Sequence, residues 1–332
     1  MGRFSIGEAL GAGFGLIARA PLSVLVWGVI YYGLNMLPLL LLMAFGGEAM
    51  FEAYRDIFAG AGSGADPAGS QSALEALNAA SMQTQWVNGV SILTALLAVA
   101  LVHTAIYRAV LDPQDKGMFY LRLGAAEGWQ ALVYACLYIM MIIAVFVLAI
   151  PLTIFIVAIA MSSAAAGGGF ADGDFSAGAF GGMFLVFLTV GLLAFVGFLW
   201  LALRFSLAGP ATYARRTFQL FESWTLTKGH SWSLFAMALL LGVILFVLSL
   251  LMWAVLLLVV GMAAGASGFD WAALGTFFDR PYAQVMTDLT PWLAGLFFLG
   301  AIATGVSTTI LLAPFASAYR QIAGPHRQAE EF

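Results

Sequence analysis

Six long apolar runs divide the chain, and polar positions are concentrated between them. Each run has at least the roughly 20 residues that a helix needs to cross a bilayer. The runs are continuously apolar, as in LYIMMIIAVFVLAI, whereas barrel strands are short and alternate in polarity. The pattern predicts an all-α, polytopic transmembrane helical bundle. Its spans lie at about 21–45, 87–110, 129–161, 182–204, 232–264 and 291–315.

Composition supports this fold class and limits the partners. Hydrophobic residues make up 62% of the chain and charged residues only 9%, whereas a soluble domain carries about 25% charged residues. These proportions favour lipid as the solvent. The net charge is −4 and the basic residues are scattered, which disfavours nucleic-acid binding. Membrane lipids are therefore the first expected partners, and the oligomeric state stays open.

Lysine and arginine fall almost entirely on one side of the predicted bundle. The positive-inside rule assigns that side to the cytoplasm. Both termini are then cytoplasmic, with an amphipathic helix at 1–20, a six-span domain at 21–324 and a tail at 325–332. Only Arg55 and Arg280 fall on the other side. The remaining basic residues are Arg3, Arg19, Arg108, Lys116, Arg122, Arg204, Arg215, Arg216, Lys228, Arg320 and Arg327.

A three-fold repeat predicts that the spans form three hairpins. Each odd-numbered span follows a glutamate, and each even-numbered span ends at an arginine. One explanation is that charges collect at helix ends, where they stay hydrated. The other is that glutamates and arginines pair between hairpins at the cytoplasmic face, with Glu222 and Arg320 as one candidate pair. The residues of this second hypothesis are Glu8, Glu127, Glu222, Arg108 and Arg320.

The connection between the fourth and fifth spans is rich in basic residues. Its segment 211–230 places Tyr213 and Trp224 on one helical face and Arg215 and Arg216 on or beside the other. It predicts an amphipathic helix along the cytoplasmic interface; an ordinary connector that follows the positive-inside rule is the alternative. In the lipid-binding hypothesis, basic side chains hold anionic headgroups and tryptophans set the depth. The residues concerned are Arg204, Arg215, Arg216, Lys228, Trp224 and Trp232.

The N-terminal segment predicts a second amphipathic helix on the cytoplasmic side. Its apolar stripe would contain Ile6, Leu10, Phe14 and Ile17. Glycines at four-residue spacing favour close packing of this helix on a neighbour, because small residues let two backbones approach. These glycines are Gly7, Gly11 and Gly15.

No pattern in the sequence predicts catalysis, a metal site or a cofactor. Only one histidine, His103, falls within a span, and no second His, Cys, Asp or Glu lies near it in sequence. A hydrogen bond to a neighbouring helix is favoured for it over a proton-transfer role. Hydroxyl groups of the sixth span are expected to bond to their own helix, and a path for a solute is the alternative. These residues are Thr304, Ser307, Thr308 and Thr309.

Two motifs in the fourth-to-fifth connection, RFSLAGP at 204–210 and FESWTLTKG at 221–229, precede a long span. Over about 200–250 the chain resembles the glycerophosphodiester phosphodiesterase membrane-domain family, and YRAVLDP and YLRLGAAEGW match it more loosely. The resemblance implies a six-span protein of the bacterial inner membrane, concerned with lipids or the envelope. No catalytic phosphodiesterase domain accompanies the spans, so the resemblance implies no activity.

The sequence leaves two functional hypotheses open. The first is a non-enzymatic protein that binds anionic lipid or a membrane protein partner at its cytoplasmic face. The alternative is a transporter or flippase-like protein for a lipidic or neutral amphipathic solute. An intramembrane enzyme is disfavoured, because the spans contain no evident cluster of acid, base or metal-binding groups.

Overall fold

The computed structural model describes residues 4–62, 67–115, 117–165, 177–266 and 279–329. These residues form α-helices and one short 3₁₀ turn at Met118–Tyr120, with no strand among them, which confirms the all-α prediction. In chain order the helices are α1 (Ile6–Arg19), α2 (Pro21–Phe45), α3 (Gly47–Gly62), α4 (Pro67–Gln83), α5 (Trp86–Leu111), α6 (Ala125–Ala165), α7 (Ala177–Phe205), α8 (Ala208–Arg215), α9 (Glu222–Leu226), α10 (Ser231–Ala266) and α11 (Tyr282–Ala329).

Six of these helices, α2, α5, α6, α7, α10 and α11, are long and apolar enough to cross a membrane. They coincide with the six apolar runs of the sequence, although α11 begins nine residues before the predicted start of its span at 291. The number of candidate spans is therefore confirmed, and the chain has the character of a multi-pass membrane protein.

Local chemistry sets several helix ends. The Ser5 hydroxyl caps α1 by accepting a hydrogen bond from the Glu8 amide at 3.4 Å. Pro21 begins α2, where a missing N–H costs no helical hydrogen bond. α11 is interrupted at Gly324, whose φ of 71° lies in the left-handed region that glycine adopts most readily. The first part of the predicted tail, to residue 329, is helical beyond this break.

The centre of the bundle lies between α2, α5 and α11, and α1 packs against α11. Trp27 of α2 and Ile106 of α5 are fully buried there, together with Ala313 and Ala316 of α11. In the most apolar part of α5, 44% of the residues are buried, and in that part of α11 the share is 39%. In the corresponding parts of α7 and α10, no residue is buried. The spans therefore divide into a packed group and a group whose apolar faces are largely exposed.

α2 and α11 approach until their backbones touch. A β-carbon added at Gly28 would overlap the Ala301 carbonyl oxygen and lie 2.9 Å from the Gly305 nitrogen. A β-carbon added at Gly305 would overlap the Val24 carbonyl oxygen and lie 3.1 Å from the Gly28 α-carbon. Each helix therefore requires a glycine where the other crosses it, as at close crossings between membrane helices.

This crossing joins the first span to the last, whereas the predicted hairpins pair consecutive spans. α6 and α7 make few contacts with each other, and α10 packs only lightly on α11. Small residues allow the close approach of α2 and α11, while large apolar side chains such as Phe195 and Trp253 cover α7 and α10 and remain exposed. The three-hairpin repeat stays a prediction.

The single amphipathic helix predicted for 211–230 is wrong. α8 ends at Arg215, Arg216 takes a left-handed conformation with φ 53°, and α9 begins six residues later. The Thr212 hydroxyl accepts a hydrogen bond from the Gln219 amide at 3.2 Å, which holds the chain in a turn. Ser223 accepts from the Leu207 amide and donates to the Arg204 carbonyl, which fixes α9 beneath the end of α7. Side-chain hydrogen bonds to the backbone thus replaced the regular helix.

α1 forms where the sequence predicts a helix, and Ile6, Leu10 and Ile17 of its apolar stripe pack partly buried against the core, but the most buried residues lie on the adjacent face. Ala9, Gly13 and Leu16 are buried, and a β-carbon at Gly13 would lie 3.0 Å from the Ile310 α-carbon of α11. The predicted contact glycines, Gly7, Gly11 and Gly15, would have no atom within 4 Å of an added β-carbon. Their predicted packing role is therefore wrong, because the contact with α11 falls on the adjacent face of the helix.

Candidate functional site

One end of the bundle gathers segments from across the chain. The Ser5 amide donates to the Gln321 side-chain oxygen at 2.8 Å, and Arg320 donates to the Val110 carbonyl at 3.4 Å. These contacts bring together the start of α1, the end of α5 and the end of α11. We call this region the basic end, because the described arginines that close α5, α7 and α11 lie in it. Of the predicted basic residues, Arg3 and Lys116 lie outside the described residues.

The first feature of the basic end is the Arg108 cluster, formed by Arg108, Asp115, Tyr120 and Glu127. Arg108 Nη2 donates to Glu127 Oε1 at 2.6 Å, and both side chains are about 95% buried. Arg108 Nη1 donates to the Tyr120 carbonyl, and Nε lies 3.9 Å from Asp115 Oδ2. The guanidinium also lies 5.7 Å from the centre of the Tyr213 ring. One arginine thus links α5, α6, α8 and the α5–α6 connection.

The Arg108 cluster holds a strained turn in that connection. Phe119 and Tyr120 have φ angles of 56° and 61°, which residues other than glycine rarely adopt. Trp27 donates its indole N–H to the Phe119 carbonyl at 2.8 Å, and Arg108 donates to the next carbonyl. Such conformations cost about 1–3 kcal/mol each and persist where surrounding contacts impose them. The Arg108–Glu127 pair is buried and its charges cancel, and Asp115 also pairs with Arg122, so the geometry of the cluster fits a structural role.

The other residues of the ion-pair hypothesis are arranged differently. Glu222 forms an ion pair with Arg215 inside its own connection, and the structure does not bring it to Arg320. Arg320 instead donates to a backbone carbonyl of α5. Glu8 is exposed at the start of α1. Within the described residues, the one predicted glutamate–arginine pair that joins different hairpins is Arg108 with Glu127.

The second feature of the basic end is the Arg204 cage, formed by Trp200, Arg204, Trp224 and Thr227. The Arg204 guanidinium carbon lies 5.6 Å from the Trp200 ring and 5.4 Å from the Trp224 ring. The two rings meet edge to face with centres 5.0 Å apart. Arg204 Nη1 donates to the Thr227 hydroxyl at 3.5 Å, while the buried Nε has no hydrogen-bond partner.

The remaining residues of the lipid-binding hypothesis surround the cage unevenly. Arg216 and Lys228 are exposed, whereas Arg215 is engaged by Glu222. Trp232 is 83% exposed at the start of α10 and packs edge-on against Phe235, with ring centres 5.9 Å apart. Sequence reasoning missed Trp200, although its position four residues before Arg204 places both on one face of α7.

The polar residues of the sixth span bond mainly to their own helix. Ser307 donates to the Ala303 carbonyl and Thr309 to the Gly305 carbonyl, both at 2.7 Å. Ser307 and Thr308 also line a cavity of about 530 Å³ between α2, α10 and α11, whose walls are mostly apolar. The Ser307 and Thr309 hydroxyls therefore have partners without any solute.

A third group, the polar core, was not predicted as a cluster. It consists of His103 and Tyr107 on α5 and Gln130 and Tyr134 on α6. The two tyrosine hydroxyls lie 3.2 Å apart, and the His103 ring meets the Tyr134 ring edge to face at 4.9 Å. Tyr31 of α2 stacks on the other side of His103 at 5.8 Å. The signal was present in the sequence, because each helix carries two polar residues four positions apart.

The polar core contains buried groups without partners. Neither polar atom of the Gln130 amide makes a hydrogen bond of normal geometry, and the same holds for His103 Nδ1 and the neighbouring Thr104 hydroxyl. All three residues are nearly or fully buried. Buried polar groups are hydrogen-bonded in the great majority of cases, so these orphaned atoms call for an explanation.

Comparison of the chain with known proteins matches no family model, no curated protein and no solved structure. The resemblance of about 200–250 to the glycerophosphodiester phosphodiesterase membrane-domain family therefore stays a prediction. Within the described residues, no three His, Cys, Asp or Glu side chains are grouped closely enough to hold a metal ion. The Arg204 cage and the polar core are the candidate functional sites of the described residues.

Proposed function

We propose that this chain is a non-enzymatic, multi-pass protein of the bacterial inner membrane that binds the phosphate of an anionic lipid through Arg204. The observation that carries the proposal is the state of this guanidinium. It makes one long hydrogen bond, although a guanidinium has five N–H donors. No carboxylate of the described residues lies within ion-pair distance of it. A lipid phosphate would supply the missing acceptors and the missing negative charge.

The two tryptophans of the Arg204 cage support a ligand at the membrane surface. Trp224 is 37% exposed, so the cage is open on one side. Tryptophan favours the interface between hydrocarbon and headgroups, where its ring is apolar and its N–H can be hydrated. A guanidinium that packs against two such rings is held near the depth of lipid phosphates. Exposed Arg216 and Lys228 add positive charge near the same surface, each contributing about 1 kcal/mol toward anionic lipid.

The test is native mass spectrometry of the protein released from nanodiscs that contain equal amounts of phosphatidylglycerol and phosphatidylcholine. We expect the wild type to retain phosphatidylglycerol in preference to phosphatidylcholine. Arg204→Gln should lower that retention about tenfold, because a charge-assisted hydrogen bond contributes about 1.5–3 kcal/mol. Arg204→Lys keeps the charge without the planar donor array and should retain an intermediate amount.

Arg19→Gln is the matched control. It removes one exposed positive charge at the end of α1, where Arg19 donates only to the Gly15 carbonyl of its own helix. We expect this variant to retain phosphatidylglycerol as the wild type does. Equal retention by Arg204→Gln, Arg19→Gln and the wild type would overturn the headgroup site. An equal loss in both variants would mean that the preference for phosphatidylglycerol depends on net positive charge and not on a site at Arg204.

We further propose that the basic end faces the cytoplasm, with both termini on that side. Support comes from the positive-inside rule together with an even number of candidate spans. The opposite end carries few basic residues; there the Tyr282 hydroxyl donates to the Met43 carbonyl at 2.6 Å and ties α11 to α2.

Cysteine labelling in spheroplasts tests this orientation. After Cys136→Ala removes the native thiol, one cysteine is introduced on each side of the membrane. We expect a membrane-impermeant maleimide to label Asp56→Cys in intact spheroplasts, because the Asp56 side chain is exposed at the far end. Lys228→Cys should be labelled only after permeabilisation. The reverse pattern would invert the topology, and the headgroup site would then belong to the outer leaflet.

A further inference from the structure

A cavity of about 740 Å³ lies between α5, α6, α7 and α11. Its volume falls within the range of ligand-binding pockets, about 300–1,000 Å³. It runs along α5 from Ser91 to Tyr107, which at 1.5 Å per residue corresponds to about 24 Å. That is most of the roughly 30 Å thickness of a bilayer's hydrocarbon core. An occupant of this cavity can therefore be a long, extended chain.

The cavity is apolar along its length and polar at one end. Its walls are formed mainly by aliphatic and aromatic side chains, among them Leu96, Leu137 and Phe205, and contain no Asp, Glu, Lys or Arg. Tyr107, Tyr134 and the backbone at Gly209 line it near the basic end. An ionised group placed in such walls would lose its hydration without a counter-charge, which is costly. The lining therefore selects an uncharged occupant.

The polar core lies at this end of the cavity and supplies unused hydrogen-bonding groups. Tyr107 and Tyr134 line the cavity themselves. The Tyr107 hydroxyl and the Gln130 amide nitrogen pack against Gly209, where an added β-carbon would lie 2.7 Å and 2.9 Å from them. The single hydrogen bond between Tyr107 and Tyr134 uses one of their two hydroxyl protons. Beside them, neither polar atom of the fully buried Gln130 amide makes a hydrogen bond of normal geometry, although this amide does not itself line the cavity.

The cavity also borders surfaces that face lipid. Tyr138 and Met141 of α6 and Phe198 of α7 line it and are each more than a third exposed. A molecule dissolved in the bilayer can therefore enter between α6 and α7, which make few contacts with each other, without crossing water. α7 separates this cavity from the Arg204 cage, because Phe198 and Ala202 lie on the opposite face of the helix from Trp200 and Arg204.

We propose that this cavity binds one lipid-like molecule with a long apolar chain and an uncharged hydroxyl or carbonyl head. The head lies at the polar end of the cavity, where it exchanges hydrogen bonds with the Tyr107 and Tyr134 hydroxyls. The chain lies along α5 toward Ser91. The proposal is independent of the headgroup site, since it concerns a neutral ligand inside the bundle.

The test uses hexadecanol that carries a photoreactive diazirine in its chain, added to the full-length protein in nanodiscs. After irradiation, the labelled positions are mapped by mass spectrometry. We expect labels concentrated at 137–141 of α6 and 198–205 of α7. Unlabelled hexadecanol should compete, whereas hexadecane, which lacks the head, and hexadecanoate, which is charged, should not. Equal competition by hexadecane, or labels spread evenly over lipid-facing α10, would overturn the proposal.

Three variants separate a specific site from bulk lipid. Tyr107→Phe and Tyr134→Phe each remove one hydroxyl from the polar end of the cavity and keep the shape, so labelling should fall about fivefold to tenfold. Ala202→Phe fills the cavity without touching the polar core and should abolish labelling even if the polar variants fold poorly. Tyr32→Phe, whose hydroxyl lies beside Gly300 outside this cavity, is the matched control and should label as the wild type.

Further results would overturn the proposal or separate this site from the headgroup site. Unchanged labelling in Tyr107→Phe, Tyr134→Phe and Ala202→Phe would overturn the proposal, as would labelling that appears only when a dimer is dissociated, since a second copy would then occupy the cavity. Arg204→Gln should leave hexadecanol labelling unchanged, and Tyr134→Phe should leave phosphatidylglycerol retention unchanged. Failure of one site is thereby distinguished from failure of the other.

Discussion

Replacing Gly28 with alanine should destabilise the bundle by about 3 kcal/mol or more, because the added carbon overlaps the Ala301 carbonyl of α11. The obstacle is backbone, which cannot rotate away as a side chain can. Gly305→Ala should have a similar effect, since its β-carbon overlaps the Val24 carbonyl of α2. The measurement is the thermal midpoint in detergent, followed by fluorescence-detected size-exclusion chromatography.

Gly33→Ala is the control on the same helix. A β-carbon at Gly33 would lie 3.5 Å from the Phe297 ring, which is an ordinary van der Waals contact. We expect its midpoint to stay close to that of the wild type. Should Gly28→Ala and Gly33→Ala unfold at the same temperature, the crossing of α2 and α11 described above would be incorrect.

Replacing Arg108 with methionine should cost about 3–5 kcal/mol, because it leaves the buried Glu127 carboxylate unpaired. Glu127→Met should cost somewhat less, since Arg108 then keeps its hydrogen bond to the Tyr120 carbonyl and its approach to Asp115. The double variant should recover much of the loss, because two apolar side chains in place of a buried ion pair are often tolerated.

Arg122→Gln is the matched control for this pair. Arg122 also forms an ion pair, with Asp115, but its side chain is 53% exposed. Exposed pairs contribute about 0–1 kcal/mol, so this variant should unfold near the wild-type temperature in the same assay. A double variant of Arg108 and Glu127 that is less stable than both single variants would contradict the ion-pair explanation.

The spans were predictable because crossing a bilayer is a local requirement. A helix needs about 20 apolar residues to span the hydrocarbon core, and that condition is visible in any window of the sequence. The α2 boundaries in the structure, Pro21–Phe45, therefore agree with the predicted span. Packing partners could not be predicted in the same way, because a glycine is required only where another helix crosses it. Nothing near Gly28 in sequence points to Gly305.

The candidate sites were predictable to the extent that their residues are close in sequence. Arg204 and Trp224 belong to one connection, whose basic and aromatic pattern placed both in the predicted lipid-binding set, although it did not predict their contact. The segment between them broke at Arg216 because Thr212 and Ser223 bond to backbone groups, and such hydrogen bonds depend on how the turn closes. Residues Tyr107 and Gln130 lie on different helices, so their common position at Gly209 required the fold.

The crossing of the first and last spans also determines how late in synthesis the bundle can be completed. During synthesis, Gly28 leaves the ribosome roughly 280 residues before the segment that carries its partner Gly305. At about 5–20 residues per second, the first span waits roughly 15–55 s in the membrane for the surface that it will pack against. Throughout that interval, the surface of α2 around Gly28 is not covered by α11 and is exposed to lipids and to the insertion machinery. Chains that terminate before the last span leave the Gly28 surface of α2 without its packing partner.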